Sequence, residues 1–413
     1  MSYFLFITSD YKPKTGGVAA YIDSLARGLM RLGHRVKILA VVQPDEKEKI
    51  RFLENYEEWV SPLPIVHDER PRHWLGHKFV SLLEIMRCLW PVARSLLDRT
   101  SFFRKSSLAI VRLTEILTRE RPSVIVLGYL DMRLYPLVLC LLQHRLPYGI
   151  VAHDFEVSRS PARLNDSVRR GMMLKNASWI AANSRHTKSL LEAWGISGNK
   201  LTIVHPPLSE QIIRDSADLC GRGQNRAYNL LTVCRLVKPK GVDIVLRALK
   251  ILDEREIPWR YTIGGEGPER KCLEELSREL RIRDRVQFLG YVTEDTKSSL
   301  FRQTDVFVMT PRVNPRDSHE GFGIVFLEAA VFEVPAVGSR GGGIPEAILH
   351  GKTGLIVRQE SPESLAGALT FLYQHPEARK AMGRAGAKRA ITHFSPAVIA
   401  AQFQDEISQR TVR

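Results

Sequence analysis

The chain has 413 residues, beyond the size at which one hydrophobic core stops growing, so we expect two domains. Its composition is globular, with 44% hydrophobic and 25% charged residues and a formal net charge of +15. The five cysteines are scattered and form no Cys-x-x-Cys pair, which argues against a zinc site and favours a reducing cytoplasm. The apolar stretch 124–142 is interrupted by Asp131, Arg133 and Pro136, which excludes a transmembrane helix there.

The chain opens with a strand–helix–strand pattern. Residues 3–8 predict a buried strand and not a signal peptide, residues 18–32 an amphipathic helix that stops at Gly33, and residues 35–42 a second strand. Gly16 and Gly17 lie where that helix begins, a position at which free N–H groups accept phosphate. The pattern is not Gly-x-Gly-x-x-Gly, and no acidic residue ends the second strand, so a nicotinamide-binding fingerprint is absent. A plain loop remains the alternative.

Nearly half of the basic excess lies in one segment. Residues 45–70 are polar and irregular, and residues 77–97 and 103–118 predict two helices. Residues 70–121 carry 11 basic and 4 acidic groups, a net charge of +7. Aromatic residues are frequent in the same segment: Trp74, Phe79, Trp90, Phe102 and Phe103. This composition favours an anionic membrane surface over nucleic acid as a partner, and an ordinary core-facing helix with a solvated basic face is the alternative.

Strands predicted at 123–128, 147–152, 178–183 and 201–204 complete a first domain, 1–207. His153 lies directly after one of them, and Ser184 is placed to cap a helix that runs to residue 194. Residues 208–228 are polar and contain glycine, which predicts a linker. A second domain, 229–393, and a final helix within 394–413 follow.

The second domain also alternates strands and helices. Arg235 and Lys240 flank its first strand-to-helix turn, where two cations can face a diphosphate at a helix start, although solvated loop cations are common. Strands are predicted near 259–264, 286–292, 305–310 and 334–339, which indicates a parallel sheet.

A glutamate pair lies between the last two of these strands. Glu320 stands in a glycine-containing turn, and Glu328 lies two helical turns further on, up to ~12 Å along the axis. The two carboxylates are too far apart to share a proton, but they could hold the two ends of a long ligand such as a sugar nucleotide. A solvated helix face is the simpler reading of such a spacing.

Six motifs between residues 229 and 358 resemble those of retaining glycosyltransferases of family 4, which have the GT-B fold. They are Arg235 with Lys240, the glycine-rich turn after residue 263, the strand 286–292, the Glu-x7-Glu pair, Gly342–Glu346 and residues 351–357. The resemblance spans nearly the whole chain and is weakest over 45–120. The stretch before residue 326 is closest to lipid-acceptor mannosyltransferases of the family.

The resemblance implies a fold, a reaction and a site. The fold is α/β, two Rossmann-like parallel-sheet domains facing across a cleft, with the 394–413 helix crossing back to the first domain. Arg235 and Lys240 with helix-start N–H groups would neutralise the leaving diphosphate, so neither a metal nor another cofactor is expected. His153 and Glu320 would bind the sugar and Glu328 the ribose. The remaining donor-binding positions implied are Gly16, Gly17, Gly265, Tyr291, Val292, Gly321, Phe322, Gly323 and Ile324.

The implied reaction moves a sugar from a UDP- or GDP-linked donor to a glycan or lipid-linked acceptor, with retention, in cell-envelope polysaccharide or glycolipid biosynthesis. Such an enzyme is expected in the cytoplasm or at the inner face of the plasma membrane. A GT-B epimerase or phosphorylase is the first alternative. A non-catalytic module that binds a membrane or nucleic acid through the basic surface is the second.

Overall fold

The computed structural model describes residues 1–12, 16–43, 46–64, 107–158, 164–217, 227–312 and 320–411. The predicted helix 77–97, which includes Phe79 and Trp90, lies outside the described residues. So do Trp74, Phe102 and Phe103, linker residues 218–226 and loop residues 313–319.

The described residues form a seven-stranded sheet. Its strands, β1 to β7, span Tyr3–Thr8, Arg35–Val42, Val60–Pro64, Val124–Leu127, Gly149–Ala152, Trp179–Ala182 and Leu201–Ile203. Their order is β3-β2-β1-β4-β5-β6-β7, and β1 pairs in parallel with β2 and β4. All six residues of β1 are buried, as expected for a central strand of a parallel sheet.

A six-stranded sheet follows. Its strands, β8 to β13, span Tyr228–Val233, Trp259–Gly264, Val286–Gly290, Val306–Met309, Ala336–Ser339 and Gly354–Val357. The order is β10-β9-β8-β11-β12-β13, and β8 pairs in parallel with β9 and β11. Buried side chains of these strands and of the covering helices form one continuous core, which includes Leu230, Trp259, Val308 and Leu365. The predicted α/β class with two parallel-sheet domains is confirmed.

The helices connect the strands. From α1 to α8 they span Gly17–Arg31, Lys47–Glu54, Ser107–Glu120, Tyr135–Gln143, Phe155–Ser158, Leu164–Asn176, Arg185–Ala193 and Glu210–Asp215. From α9 to α16 they span Val242–Glu254, Arg270–Glu279, Glu294–Arg302, Ile324–Val331, Ile344–Ala347, Pro362–Gln374, Pro376–Phe394 and Pro396–Thr411. Across the described ranges, none of the helices is both long and apolar enough to span a bilayer.

The contacts divide the chain into two compact units. The first comprises 1–22, 33–151 and 161–181, and the second comprises 23–32, 152–160 and 182–413. Within the second unit, α16 contacts residues of β7, since Glu406 accepts a hydrogen bond from Thr202 (2.6 Å) and Gln402 donates one to the Ile203 carbonyl (3.0 Å). The predicted boundary at 208–228 stays a prediction.

Local predictions are mostly correct. Ser184 caps α7 by accepting a hydrogen bond from the Thr187 N–H (3.1 Å), as predicted. The prediction that residues 45–70 are irregular is wrong, because α2 and β3 lie within this stretch. Pro62 and Pro64 in β3 conceal the strand, and they are tolerated because β3 is an edge strand that pairs only with β2. Part of the predicted linker forms α8.

Candidate functional site

Most predicted site residues lie in loops at one edge of the second sheet. Its strands are parallel, so the loops after their carboxyl ends share that edge, where α/β proteins bind ligands. Arg235 and Lys240 follow β8, Gly265 follows β9, Tyr291 and Val292 follow β10, and Glu320 precedes α12. All of these belong to the second compact unit.

Lys240 and Glu320 form an ion pair at this edge. The Lys240 Nζ donates to the Glu320 Oε2 at 2.5 Å, and the two side chains are 26% and 16% exposed. Burial favours the neutral amine, but the adjacent Glu320 carboxylate outweighs it, so the pKa of Lys240 lies above its ordinary value. The pair therefore places a cation and a carboxylate side by side.

A tight turn directs Lys240 toward Glu320. Residues Lys238–Lys240 form a 3₁₀ turn, and Gly241 follows with φ +68° in the left-handed region that glycine tolerates. A Cβ at Gly241 would lie 2.0 Å from the Thr310 carbonyl oxygen, so no other residue fits. Arg235, at the start of the loop, is exposed and can reach a ligand in solvent.

The loop after β12 holds the backbone of Glu320. Gly343 N–H donates to the Glu320 carbonyl at 2.9 Å. A Cβ at Gly343 would lie 2.1 Å from the Gly321 carbonyl oxygen. The glycines after β12 thus pack their backbone against the backbone of the loop that carries Glu320, here called the glutamate loop. This close contact leaves no room for side chains at the glycine positions.

His153 lies against the same loop. Its carbonyl accepts a hydrogen bond from Asn183 Nδ2 (3.2 Å), and its N–H donates to Glu156 Oε1 (2.6 Å). A Cβ at Gly321 would come within 2.4 Å of the His153 carbonyl oxygen. The next residue, Asp154, has φ +94°, a strained conformation for a non-glycine residue of the kind that clusters at functional sites. The structure therefore brings His153 and the glutamate loop together.

Glu328 lies in a separate charged cluster. The Lys297 Nζ is 2.9 Å from a carboxylate oxygen of Glu328 and 2.9 Å from one of Glu294. Burial raises the pKa of Glu328, and Lys297 offsets only part of that effect. Burial opposes the charge on Lys297, but the two carboxylates outweigh it and raise the pKa of Lys297. Glu320 and Glu328 thus have different cationic partners.

The loops after β9 and β10 are joined. Gly265 N–H donates to the Gly290 carbonyl at 2.6 Å, and a Cβ at Gly264 would lie 2.7 Å from Val292 Cγ2. Tyr291 is 64% exposed. This arrangement leaves Tyr291 and the backbone of Val292 available at the strand exit.

The turn before α12 contributes backbone more than side chains. Phe322 is 1% exposed, and its ring centroid lies 5.3 Å from that of His205 and 5.7 Å from that of Phe394. Gly323 is the N-cap of α12, which begins at Ile324. Any donor contact by Phe322 would therefore be made by its main chain.

Gly16 and Gly17 belong to the first compact unit. The Gly16 carbonyl accepts the hydrogen bond from Ala20 N–H (3.0 Å), and Gly17 begins α1. The predicted helix start is confirmed, and the contact of these glycines with phosphate stays a prediction.

Two family models match the chain. The model for glycosyl transferases group 1 matches residues 224–389, and the model for glycosyltransferase family 4 matches residues 15–211. This chain is a group 1, family 4 glycosyltransferase. The predicted family is thereby confirmed.

Curated relatives are glycosyltransferases too. This glycosyltransferase is 26% identical over 415 residues, 98% of each chain, to the GDP-mannose-dependent alpha-(1-6)-phosphatidylinositol monomannoside mannosyltransferase of Mycolicibacterium smegmatis. It is 32% identical over 219 residues, 51% of each chain, to the D-inositol 3-phosphate glycosyltransferase of Pseudarthrobacter chlorophenolicus. The solved structure of Anabaena HepE with UDP and glucose has a TM-score of 0.70 and 17% identity, covering 99% of this chain and 100% of that one, and shares the fold.

Several residues of this glycosyltransferase's site escaped sequence reasoning. Lys297 is one helical turn after Glu294, a spacing that signals a local ion pair but not the contact with Glu328. Arg312 stands in a basic loop with no periodicity to mark it. Glu346, which the sequence marks only as the last residue of a glycine motif, accepts a hydrogen bond from Arg185 N–H (2.7 Å) and contacts His205 Nε2 (3.0 Å).

Proposed function

We propose that this glycosyltransferase moves a hexose from a nucleotide diphosphate sugar to a glycan or lipid-linked acceptor in cell-envelope polysaccharide or glycolipid biosynthesis. The Lys240–Glu320 pair supports the proposal, because a cation of the kind that can bind a diphosphate lies 2.5 Å from a carboxylate that can bind sugar hydroxyls. The donor and acceptor in the mannosyltransferase relative's name make GDP-mannose the first donor to test, ahead of UDP-sugars.

The roles follow from the positions of the side chains. Lys240 and the exposed Arg235 would bind the diphosphate with the N–H groups at the start of α12. Glu320 and His153, whose backbone lies against the same loop, would hold the sugar. Glu328, within α12, would bind the ribose, and the strand exit with Tyr291 and Val292 would contact the base.

The reaction we propose retains the anomeric configuration by same-face attack. The acceptor oxygen bonds to the anomeric carbon as the bond from that carbon to the phosphate oxygen breaks. The acceptor proton passes to an oxygen of the departing β-phosphate, and the electron pair of the broken bond leaves with the nucleoside diphosphate. Arg235 and Lys240 stabilise the charge that develops there.

We further propose that no divalent cation is required, because Arg235 and Lys240 supply the positive charge that a metal would otherwise provide. Transfer should persist at an unchanged rate in excess EDTA. Loss of activity in EDTA that magnesium or manganese restores would contradict this part of the proposal and leave the family assignment intact.

Donor binding is tested by thermal unfolding with GDP-mannose, GDP-glucose, UDP-glucose and UDP-galactose. A true donor at 100 times its dissociation constant should stabilise the protein by ~2.7 kcal/mol. Lys240→Ala should lose most of this stabilisation. If none of the nucleotide sugars stabilises the wild type, the donor-site assignment is wrong.

Transfer is then measured as nucleotide release with and without acceptor, beginning with phosphatidylinositol monomannoside. Release that requires the acceptor, with a new α-anomeric signal in the product, supports a retaining transferase. Release in water alone, or only with inorganic phosphate, would identify an epimerase or a phosphorylase instead.

A further inference from the structure

Arg312 holds the turn that presents Lys240. It lies just after β11, and its side chain is 17% exposed. Nη1 donates to Asp243 Oδ1 (2.8 Å) and to the Lys238 carbonyl (2.8 Å), and Nη2 donates to Asp243 Oδ2 (2.6 Å). Nε donates to Glu360 Oε1 (2.8 Å). One guanidinium thus joins the turn, the first turn of α9 and the loop after β13.

The backbone of Arg312 completes this attachment. Its N–H donates to the Pro239 carbonyl at 2.8 Å, so the carbonyls of Lys238 and Pro239 both bond to this one residue. Lys240 follows directly, with its Nζ 2.5 Å from Glu320. A shift of the turn would therefore move the ammonium relative to the carboxylate.

The contacts of Arg312 leave it little capacity to bind a ligand. A guanidinium has five N–H donors in a fixed geometry, and four are used within the protein. Asp243 and Glu360 also compensate its charge. Arg312 differs in this respect from Arg235, which is exposed.

We propose that Arg312 is a positioning residue for the donor diphosphate, acting through the Lys238–Lys240 turn rather than by contact with the donor. The inference rests on the proposed function, since it assumes that Lys240 binds the diphosphate. Lysine cannot replace Arg312, because an ammonium lacks the fork that bonds Asp243 and the Lys238 carbonyl together.

The test compares nucleotide affinities, measured by calorimetry with GDP, UDP, GMP and UMP. Arg312→Lys should weaken binding of the preferred diphosphate about tenfold or more, because small displacements of preorganised groups are costly, and should change monophosphate affinity less than about twofold. Arg379→Lys is the matched control. Arg379 is 18% exposed and bonds Asp305 (3.5 Å) and the Leu372 carbonyl (3.1 Å), and its replacement should leave all four affinities unchanged.

A double-mutant cycle separates positioning from general damage. In a Lys240→Ala background, Arg312→Lys should cost no further diphosphate affinity, because the group it positions is gone. Equal losses for Arg312→Lys and Arg379→Lys, or full additivity with Lys240→Ala, would overturn the inference. If Arg312→Lys fails to fold, Asp243→Asn replaces it with the same expected pattern. Failure of wild-type protein to bind either diphosphate would instead refute the proposed function.

Discussion

Lys240 differs from its neighbour Lys238 in what surrounds the ammonium. Lys238 is exposed, whereas Lys240 is three-quarters covered and paired with Glu320. A partly desolvated charge that the fold holds in place interacts more strongly with an anion than a solvated one, because little reorganisation is needed on binding. The turn thus contains the cation proposed to bind the diphosphate and, in Lys238, an exposed lysine for comparison.

Replacement of Lys240 by alanine should lower turnover by ~10²-fold or more at saturating donor, as for loss of one preorganised charge. Arg235→Ala should have a similar effect. Lys238→Ala, which removes a charge from the same turn, should leave turnover unchanged. Near wild-type turnover in Lys240→Ala or Arg235→Ala would contradict the leaving-group assignment.

Asp243 should give the protein a specific acid sensitivity. Burial would raise the pKa of Asp243, but hydrogen bonds from Arg312 and from N–H groups at the start of α9 lower it below its ordinary value of 3.8. The folded state therefore binds fewer protons than the unfolded state. The resulting stability is present above that ordinary value, which the unfolded state keeps, and is lost as the pH falls through the folded pKa.

Urea unfolding of Asp243→Asn measures this contribution. The variant should be less stable than the wild type at pH 7 and pH 5, and the gap should shrink below about pH 4. Asp284→Asn, at an exposed aspartate, should match the wild type at every pH. A gap for Asp243→Asn that stays constant down to pH 3 would refute the role of the carboxylate charge.

Among the structural elements, the loop after β12 sets the position of Glu320. Gly343→Ala should lower turnover by about 10²-fold, because its Cβ would lie 2.1 Å from the Gly321 carbonyl and displace the glutamate loop by about 1 Å. Gly367→Ala, in α14, is the control. Apart from its chain neighbours and the backbone of its own helix, no atom lies within 4 Å of its Cβ, so it should keep full turnover and stabilise the protein by about 0.5–1 kcal/mol. Full turnover in Gly343→Ala would show that the loop does not hold Glu320.

Periodicity and turn residues predict most of the elements, because buried parallel strands read as apolar runs that glycine, proline and polar turns delimit. The failure at β3 has a physical cause. Its two prolines are typical of a loop, and only the pairing with β2 makes the segment a strand. Such pairing is a tertiary effect that no local pattern contains.

For the candidate site, the sequence predicts the positions of the residues but not their contacts. The positions of Arg235, Lys240 and Glu320 at strand ends follow from the strand–loop–helix pattern. The contacts do not, because Lys297–Glu328 and Arg312–Asp243 join residues 31 and 69 positions apart. Neither spacing has a local signature, so the partner of each charge emerges only from the packing of the sheet.

For the whole molecule, the +7 excess in residues 70–121 predicts attraction to anionic lipid of ~1 kcal/mol per basic residue near the surface. Sedimentation with vesicles should show binding that rises with anionic lipid content and falls with salt. Residues 70–106 of this segment lie outside the described ranges, so the prediction rests on the sequence.

Charge-removing variants test whether residues 70–121 are responsible for the vesicle binding. Vesicle binding should weaken when four basic residues of the segment are replaced by glutamine: Arg87, Arg94, Arg104 and Lys105. It should not change when four exposed basic residues of the second unit are replaced in the same way: Lys271, Arg278, Arg358 and Lys388. Absence of binding to anionic vesicles at low salt would refute the prediction.

The pairing of β1 has a consequence for how the chain folds. Phe4 pairs with Val36 on one side and with Val124 on the other. During synthesis, the second edge of β1 stays without its partner until more than a hundred further residues have left the ribosome. Unpaired edges of apolar strands associate with other chains, and long-range parallel pairing is slow. Refolding yield should therefore fall steeply with protein concentration. Chaperones should matter most during the interval in which β1 lacks its partner β4.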